Sequence, residues 1–257
     1  NKTMVNSSVS GASIEDIIGI YQLYKNKNIL PKKIILGVDP WLFNKNNGQE
    51  RWQSLKNEYF QFINPDTIIK KTIPIEKYKQ LLSMSYFKAS FISLLKAITG
   101  KSEPIATNEM YNEGITKLID GSLSYGKSYR EITNEEVNNK AKSYISGKIY
   151  SIEDFNVISP EKFKEFVKLC RSILINDIQL SFLLVPYHPL VYEKIMQDYP
   201  IIIEAENKII NFANENNIEF LGSFNPAKVN IDGHGFFDGM HSKESTIKKI
   251  LKIEIEK

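Results

Sequence analysis

Two short apolar runs constrain what this chain can fold into. Lys33 to Val38 reads Lys-Ile-Ile-Leu-Gly-Val and is stopped by Asp39-Pro40. Gln179 to Val185 reads Gln-Leu-Ser-Phe-Leu-Leu-Val and is stopped by Pro186. Both are too short for helices and too continuously apolar for a half-exposed strand, so both predict buried strands. Ahead of the first, Ser13 with Asp16 has the pattern of a capping box, and Ile14, Ile17, Ile18 and Tyr21 recur at helical spacing. That predicts a helix from 14 to about 27, and residues 4–6 are expected to end a short strand. A strand, a helix and a second strand in this order make a βαβ unit and hence a parallel sheet.

Farther on, helical patterns occupy 50–61, 75–98 and 134–146, with a turn at Asp120-Gly121-Ser122. This region, about 45–155, is expected to be a mostly helical insertion in a single domain. Alternation resumes with a helix from Pro160 to about Asn176 and the strand at 179–185. A helical stretch over 189–216 is broken or kinked at Pro200, and a strand follows at 218–222. Ser242 is expected to cap a last helix reaching about residue 255. The expected fold class is a three-layer α/β/α parallel sheet. Ligands of such sheets bind where strands end, which singles out the loops 6–13, 39–49, 186–190 and 223–241.

Composition narrows the function classes. The 257 residues carry 33 Lys plus Arg against 30 Asp plus Glu, a net charge of +3. Nucleic-acid binding normally rests on a concentrated basic footprint, so nothing points to that partner. A hydrophobic share of 42% argues for a folded core. One cysteine, Cys170, allows no internal disulfide, and its apolar-periodic setting reads as a buried small hydrophobe.

The three histidines are His188, His234 and His241. Two of them fall in Asp232-Gly233-His234-Gly235-Phe236-Phe237-Asp238-Gly239-Met240-His241, a glycine-rich loop ahead of the last helix. Asp238 and His241 are three apart. In a tight turn that spacing lets the carboxylate reach the ring Nδ1–H, fixing the tautomer and making Nε2 the nitrogen that acts as base. Two other readings stand beside it. One is a polar loop with a helix cap. The other is a metal site on Asp232, His234, Asp238 and His241, although no established ligand spacing such as H-E-x-x-H is present. His188, in Pro186-Tyr187-His188-Pro189, ends a strand and reads equally as pocket-lining or structural.

Phe237-Asp238-Gly239-Met240-His241 resembles the terminal D-x-x-H block of the SGNH (GDSL-like) hydrolases and acyltransferases. Val5-Asn6-Ser7-Ser8-Val9-Ser10-Gly11 resembles that family's second block, N-x-x-x-S-G, and Gly37-Val38-Asp39-Pro40 falls where its third, G-x-N-D, belongs. Longer stretches (37–44, Ser85-Tyr86-Phe87, 186–189 and 222–226) are similar to a bacterial branch that includes the D-alanine transfer protein and alginate O-acetyltransferases. The resemblance implies a flavodoxin-like fold and a Ser-His-Asp triad with Asp238 and His241 as two members. It also implies an oxyanion hole built with the Gly11 N–H, and a site lined by Asp39, Trp41, Asn44, Tyr187 and His188. Asp39 departs from the family pattern, because an ionised Asp cannot donate to an oxyanion as Asn does. The resemblance implies no cofactor and no metal.

The family's first block carries the nucleophilic serine on a strand ahead of the second. With Asn6 so near the start, that strand is expected upstream of residue 1, and its absence is expected to leave an apolar sheet edge open. Ser7, Ser8, Ser10, Ser122 and Ser242 read as turn or cap residues. Two functions follow from the resemblance. One is a serine esterase or O-acyltransferase acting on an acylated glycan or cell-envelope polymer, with Trp41, Tyr187 and Phe237 read either as a sugar-stacking wall or as ordinary half-buried aromatics. The other is a non-catalytic module that binds a glycan or a membrane-bound acyltransferase. The resemblance also implies a place on the extracytoplasmic face of the cell envelope, anchored through a segment upstream.

Overall fold

A computed structural model describes residues 4–65, 84–100 and 113–252. The chain forms two compact units, one of residues 1–27 and 49–127, the other of 28–48 and 128–257.

In the first unit, helix α1 spans Ile14–Asn26 and starts as the sequence predicts. The Ser13 hydroxyl accepts from the Asp16 N–H at 3.3 Å, and the Asp16 carboxylate accepts from the Ser13 N–H at 2.9 Å. A 3₁₀ turn at Arg51–Leu55 leads into helix α2, Lys56–Ile63, which packs on α1. Gly19 makes the approach possible, since a Cβ there would meet the Leu55 side chain at 2.8 Å. Helix α3 spans Met84–Ile98. Residues 75–83 of the helix expected over 75–98 lie outside the described residues, as does the chain after 252. Thr116–Lys117 and Leu123–Ser124 pair as a short antiparallel hairpin around the predicted Asp120-Gly121-Ser122 turn.

The strand expected at 4–6 does not form. Asn6 donates one backbone bond to Asp120 (2.7 Å), while Met4 and Val5 are exposed, so this segment has one anchor and no ladder.

The second unit holds a parallel sheet of three strands, β1 (Lys33–Gly37), β2 (Gln179–Leu184) and β3 (Glu219–Gly222), in the spatial order β1-β2-β3. Leu36 pairs with Phe182, and Phe182 with Phe220. Helices α4 (Asn134–Ile145), α5 (Pro160–Ile175), α6 (Pro189–Asp198), α7 (Ile201–Glu215) and α8 (Glu244–Ile250) surround it. The chain breaks at Pro200, because proline cannot continue the hydrogen bonding between α6 and α7.

Leu180, Phe182 and Leu184 of β2 are buried and Leu183 is half-buried, with Phe182 fully enclosed. Phe182, Phe166 and Phe163 of α5, Phe212 of α7 and Phe43 form one cluster, with ring centroids 5.4–6.4 Å apart. Cys170 is buried beside Leu169 and Ile173 on the inner face of α5, and burial pushes its thiol well above the ordinary range, as befits a packing residue. Among the described residues β1 is an edge strand, and its Ile35 is 39% exposed.

The last helix starts differently from expectation. Its N-cap is Lys243, not Ser242, and no side chain caps it. Ser242 is engaged one step earlier, in a β-bridge with Phe236, and its hydroxyl is buried.

Candidate functional site

The chemistry-bearing residues of the second unit come from three strand ends. The β1 end supplies Asp39, Trp41 and Asn44. The β2 end supplies Tyr187 and His188, and the loop from β3 to α8 supplies Asp238 and His241.

That last loop is closed by its own backbone. The Phe237 N–H donates to the His241 carbonyl at 2.8 Å and the Lys243 N–H to the Gly235 carbonyl at 2.8 Å. The Thr246 hydroxyl, from α8, also donates to Gly235 at 2.8 Å. The His188 N–H reaches the Gly239 carbonyl at 3.2 Å and so pins the loop to the β2 end. Inside this clasp, one Asp238 oxygen accepts from the backbone N–H groups of Met240 and His241, both at 2.8 Å. The other meets His241 Nδ1 at 2.8 Å. The spacing of three is therefore realised as the tight turn expected from the sequence. A carboxylate on Nδ1 places the neutral ring's proton there and leaves Nε2 as the basic nitrogen. The His241 side chain is 57% exposed and Asp238 19%, so the pair opens outward from its imidazole end.

The two groups shift each other. Burial opposes ionisation of Asp238. The bonds from the His241 ring and from the two amides, with the His241 charge, outweigh it and hold the carboxyl below its usual range. For His241 the Asp238 hydrogen bond is the largest influence and raises its pKa, against partial burial.

His188 is enclosed. Its Nδ1 accepts from the Leu190 N–H at 3.2 Å, capping α6, and burial lowers its pKa. The ring is thus a neutral Nε2–H tautomer. Nε2 has no hydrogen-bond partner among the described residues and faces Gly233, where a Cβ would come within 2.8 Å of it. The ring also stands edge-on to Phe236, with centroids 5.4 Å apart.

Asp39 makes no side-chain cap bond to the 3₁₀ turn that follows it, Pro40–Phe43. The residue is half-buried, and burial alone pushes its carboxyl up to about 7. Near neutral pH such a group is substantially protonated and carries an O–H to donate. The departure from Asn noted in the sequence is therefore smaller in this setting than an ionised Asp implies. Its charge bears on buried Tyr187, whose hydroxyl has no partner among the described residues and whose pKa burial raises.

Asn44 is used structurally at both ends. Its Nδ2 donates to the Ser151 carbonyl at 2.8 Å and its Oδ1 accepts from the Asn46 N–H at 3.0 Å. Trp41, Tyr187 and Phe237 are buried, with rings packed edge-on to Tyr150, Phe224 and Tyr129. None of the three offers the open ring face that sugar stacking uses.

Gly11, in the first unit, lies in a turn at φ +61°, a backbone state that favours glycine. The neighbouring Ser7 hydroxyl is hydrogen-bonded to Tyr24 Oη at 2.8 Å. Asp232 and His234 form a second, looser pair at 3.6 Å. Among the described residues no group of three or more His, Cys, Asp or Glu is placed to hold a metal ion.

Sequence reasoning missed Tyr144. It lies on the buried stripe of α4 with Val137 and Ala141, donates its hydroxyl to Met240 Sδ, and supports Gly239, where a Cβ would meet the ring at 3.0 Å. Burial pushes its phenol up to about 12. Its helical spacing predicts a buried position but carries no sign of its partner.

Comparison with family models, curated proteins and solved structures finds no match for this chain.

Proposed function

We propose that the chain carries the His-Asp part of an SGNH-type serine esterase or O-acyltransferase that acts on an acylated cell-envelope glycan or polymer. The observation that carries this reading is the Asp238–His241 pair: a 2.8 Å bond on Nδ1 from a carboxylate that two backbone N–H groups hold. That arrangement suits a general base. His241 Nε2 takes the proton of a serine hydroxyl as the oxygen attacks an acyl ester, and returns it to the leaving alcohol. Asp238 orients the ring and stabilises the imidazolium. Asp39, in its protonated form, is a donor offered to the oxyanion. By the resemblance, the nucleophilic serine belongs to a strand ahead of the Asn6 block, and the edge that β1 presents among the described residues, with Ile35 exposed, supports a further strand there. The flavodoxin-like identity of the sheet and an extracytoplasmic location belong to the same proposal. Among the described residues no helix is long and apolar enough to cross a membrane.

Active-site labelling with a fluorophosphonate tests it, on the product of the complete reading frame, its His241→Ala variant and this 257-residue chain. Labelling of the first alone is the expected result. No labelling of a well-folded complete product refutes the serine enzyme and leaves the non-catalytic binding module. Labelling of the 257-residue chain moves the nucleophile to one of its own serines.

A further inference from the structure

Helix α3 shows no buried side chain among its described residues. All of its described side chains are exposed, including seven large apolar ones, Met84, Phe87, Phe91, Ile92, Leu94, Leu95 and Ile98, at 43% to 80%. At about 100° per residue, Met84, Phe87, Phe91, Leu94, Leu95 and Ile98 fall within about 100° of arc. Ser90, Ser93 and Ala97 lie on the other side. Phe87 and Phe91 stack nearly parallel, with centroids 6.4 Å apart. This is an amphipathic helix whose apolar stripe faces water. A helix of 15 residues is marginal in water without a surface to bury that stripe against. Contiguous apolar exposure of this kind marks an interaction surface.

The charges select the occupant. Lys88 borders the stripe and Lys96 lies beyond it. From Lys77 to Ser102 the sequence has no Asp or Glu, and its ionisable cations are Lys77, Lys79, Lys88, Lys96 and Lys101. A second copy of the chain would bring these lysines against their own kind. A surface that is apolar beneath and anionic above matches both the stripe and its border. The helix is about 22 Å long, shorter than the roughly 30 Å of a bilayer core, so it suits lying in the interface rather than crossing.

We propose that α3 is a membrane-surface helix that inserts Phe87, Phe91, Leu94 and Ile98 among lipid chains and sets Lys88 and Lys96 against anionic headgroups. This stands independently of the catalytic reading, since it rests only on the first unit.

The test is flotation of the whole chain with vesicles of phosphatidylcholine alone or mixed with phosphatidylglycerol. The chain is expected to float with the mixed vesicles, and added salt is expected to weaken it. Lys88→Gln with Lys96→Gln is expected to weaken binding about thirtyfold, from the pull of about two surface lysines. Phe87→Ser with Phe91→Ser is expected to abolish it. Both are exposed positions, and an unchanged thermal transition confirms folding. Failure of the folded chain to float overturns the proposal. So does binding indifferent to phosphatidylglycerol or to the Phe substitutions. A concentration-dependent dimer without lipid that Phe87→Ser with Phe91→Ser dissolves assigns the stripe to a second copy and also overturns it.

Discussion

Replacing Asp39 by Asn isolates a carboxyl whose ionisation the fold resists. In the folded chain burial alone pushes this group from the ordinary carboxylate value of 3.8 to about 7. Between those two values the native state holds a proton that the unfolded chain has lost, so stability falls as pH rises. Below about 3.8 both states are protonated and the group has no effect. Above about 7 the loss is complete. That difference corresponds to about 4 kcal/mol, and solvent screening at a half-buried residue reduces this to about 2–4 kcal/mol. Asn is close in shape and does not ionise. Urea unfolding of both proteins at about pH 2.8 and about pH 8 (about one unit outside either end of this range) reads the difference. Asp39→Asn is expected to match the native chain at the acid value and to exceed it by about 2–4 kcal/mol at the alkaline one. Parallel stability curves, with the same offset at both values, would refute the buried-carboxyl argument and with it the protonated donor offered to the oxyanion.

Gly233→Ala places a methyl 2.8 Å from His188 Nε2 and is expected to cost about 1–3 kcal/mol by denaturant unfolding, with most of the loss relieved in the double variant with His188→Ala. Phe166→Ala empties the centre of the aromatic cluster and is expected to cost about 3–5 kcal/mol in the same assay. Asp238→Asn removes the carboxylate that raises the His241 pKa, and an NMR titration is expected to find that pKa lowered towards the ordinary histidine range; an unchanged value would mean the 2.8 Å bond does not govern the ring. The bond's contribution to stability is expected below the unfolded histidine pKa and to fade as pH rises through the raised folded value.

The parts of the fold written in local chemistry were legible in the sequence. The run at 179–185 ended by Pro186 predicts β2, Ser13 with Asp16 predicts the start of α1, and Pro200 predicts the break between α6 and α7. The Asp238–His241 pair was legible for the same reason, because three residues of chain determine it. What escaped depends on partners distant in sequence. The segment at 4–6 has a strand's composition but finds only one backbone–backbone bond, to Asp120. Ser242 has the type of a helix cap, yet its bridge to Phe236 commits it elsewhere and leaves the cap to Lys243. Tyr144 supports Gly239 and Met240 across almost a hundred residues, a relation that no spacing records. The burial of Asp39 belongs to the same class, since its sequence neighbours give no measure of how much protein surrounds the carboxyl.

The turn that joins Asp238 to His241 is assembled from neighbours along the chain, so bringing the two together costs little loop-closure entropy. The longer clasps, Gly235 with Lys243 and His188 with Gly239, do a different job: they decide where the finished pair is aimed. Bearing and firing direction are thus separable properties of this loop. Changes at Tyr144, Thr246 or His188 would turn the imidazole as an intact unit, leaving its tautomer and basicity in place while altering which atoms it can reach.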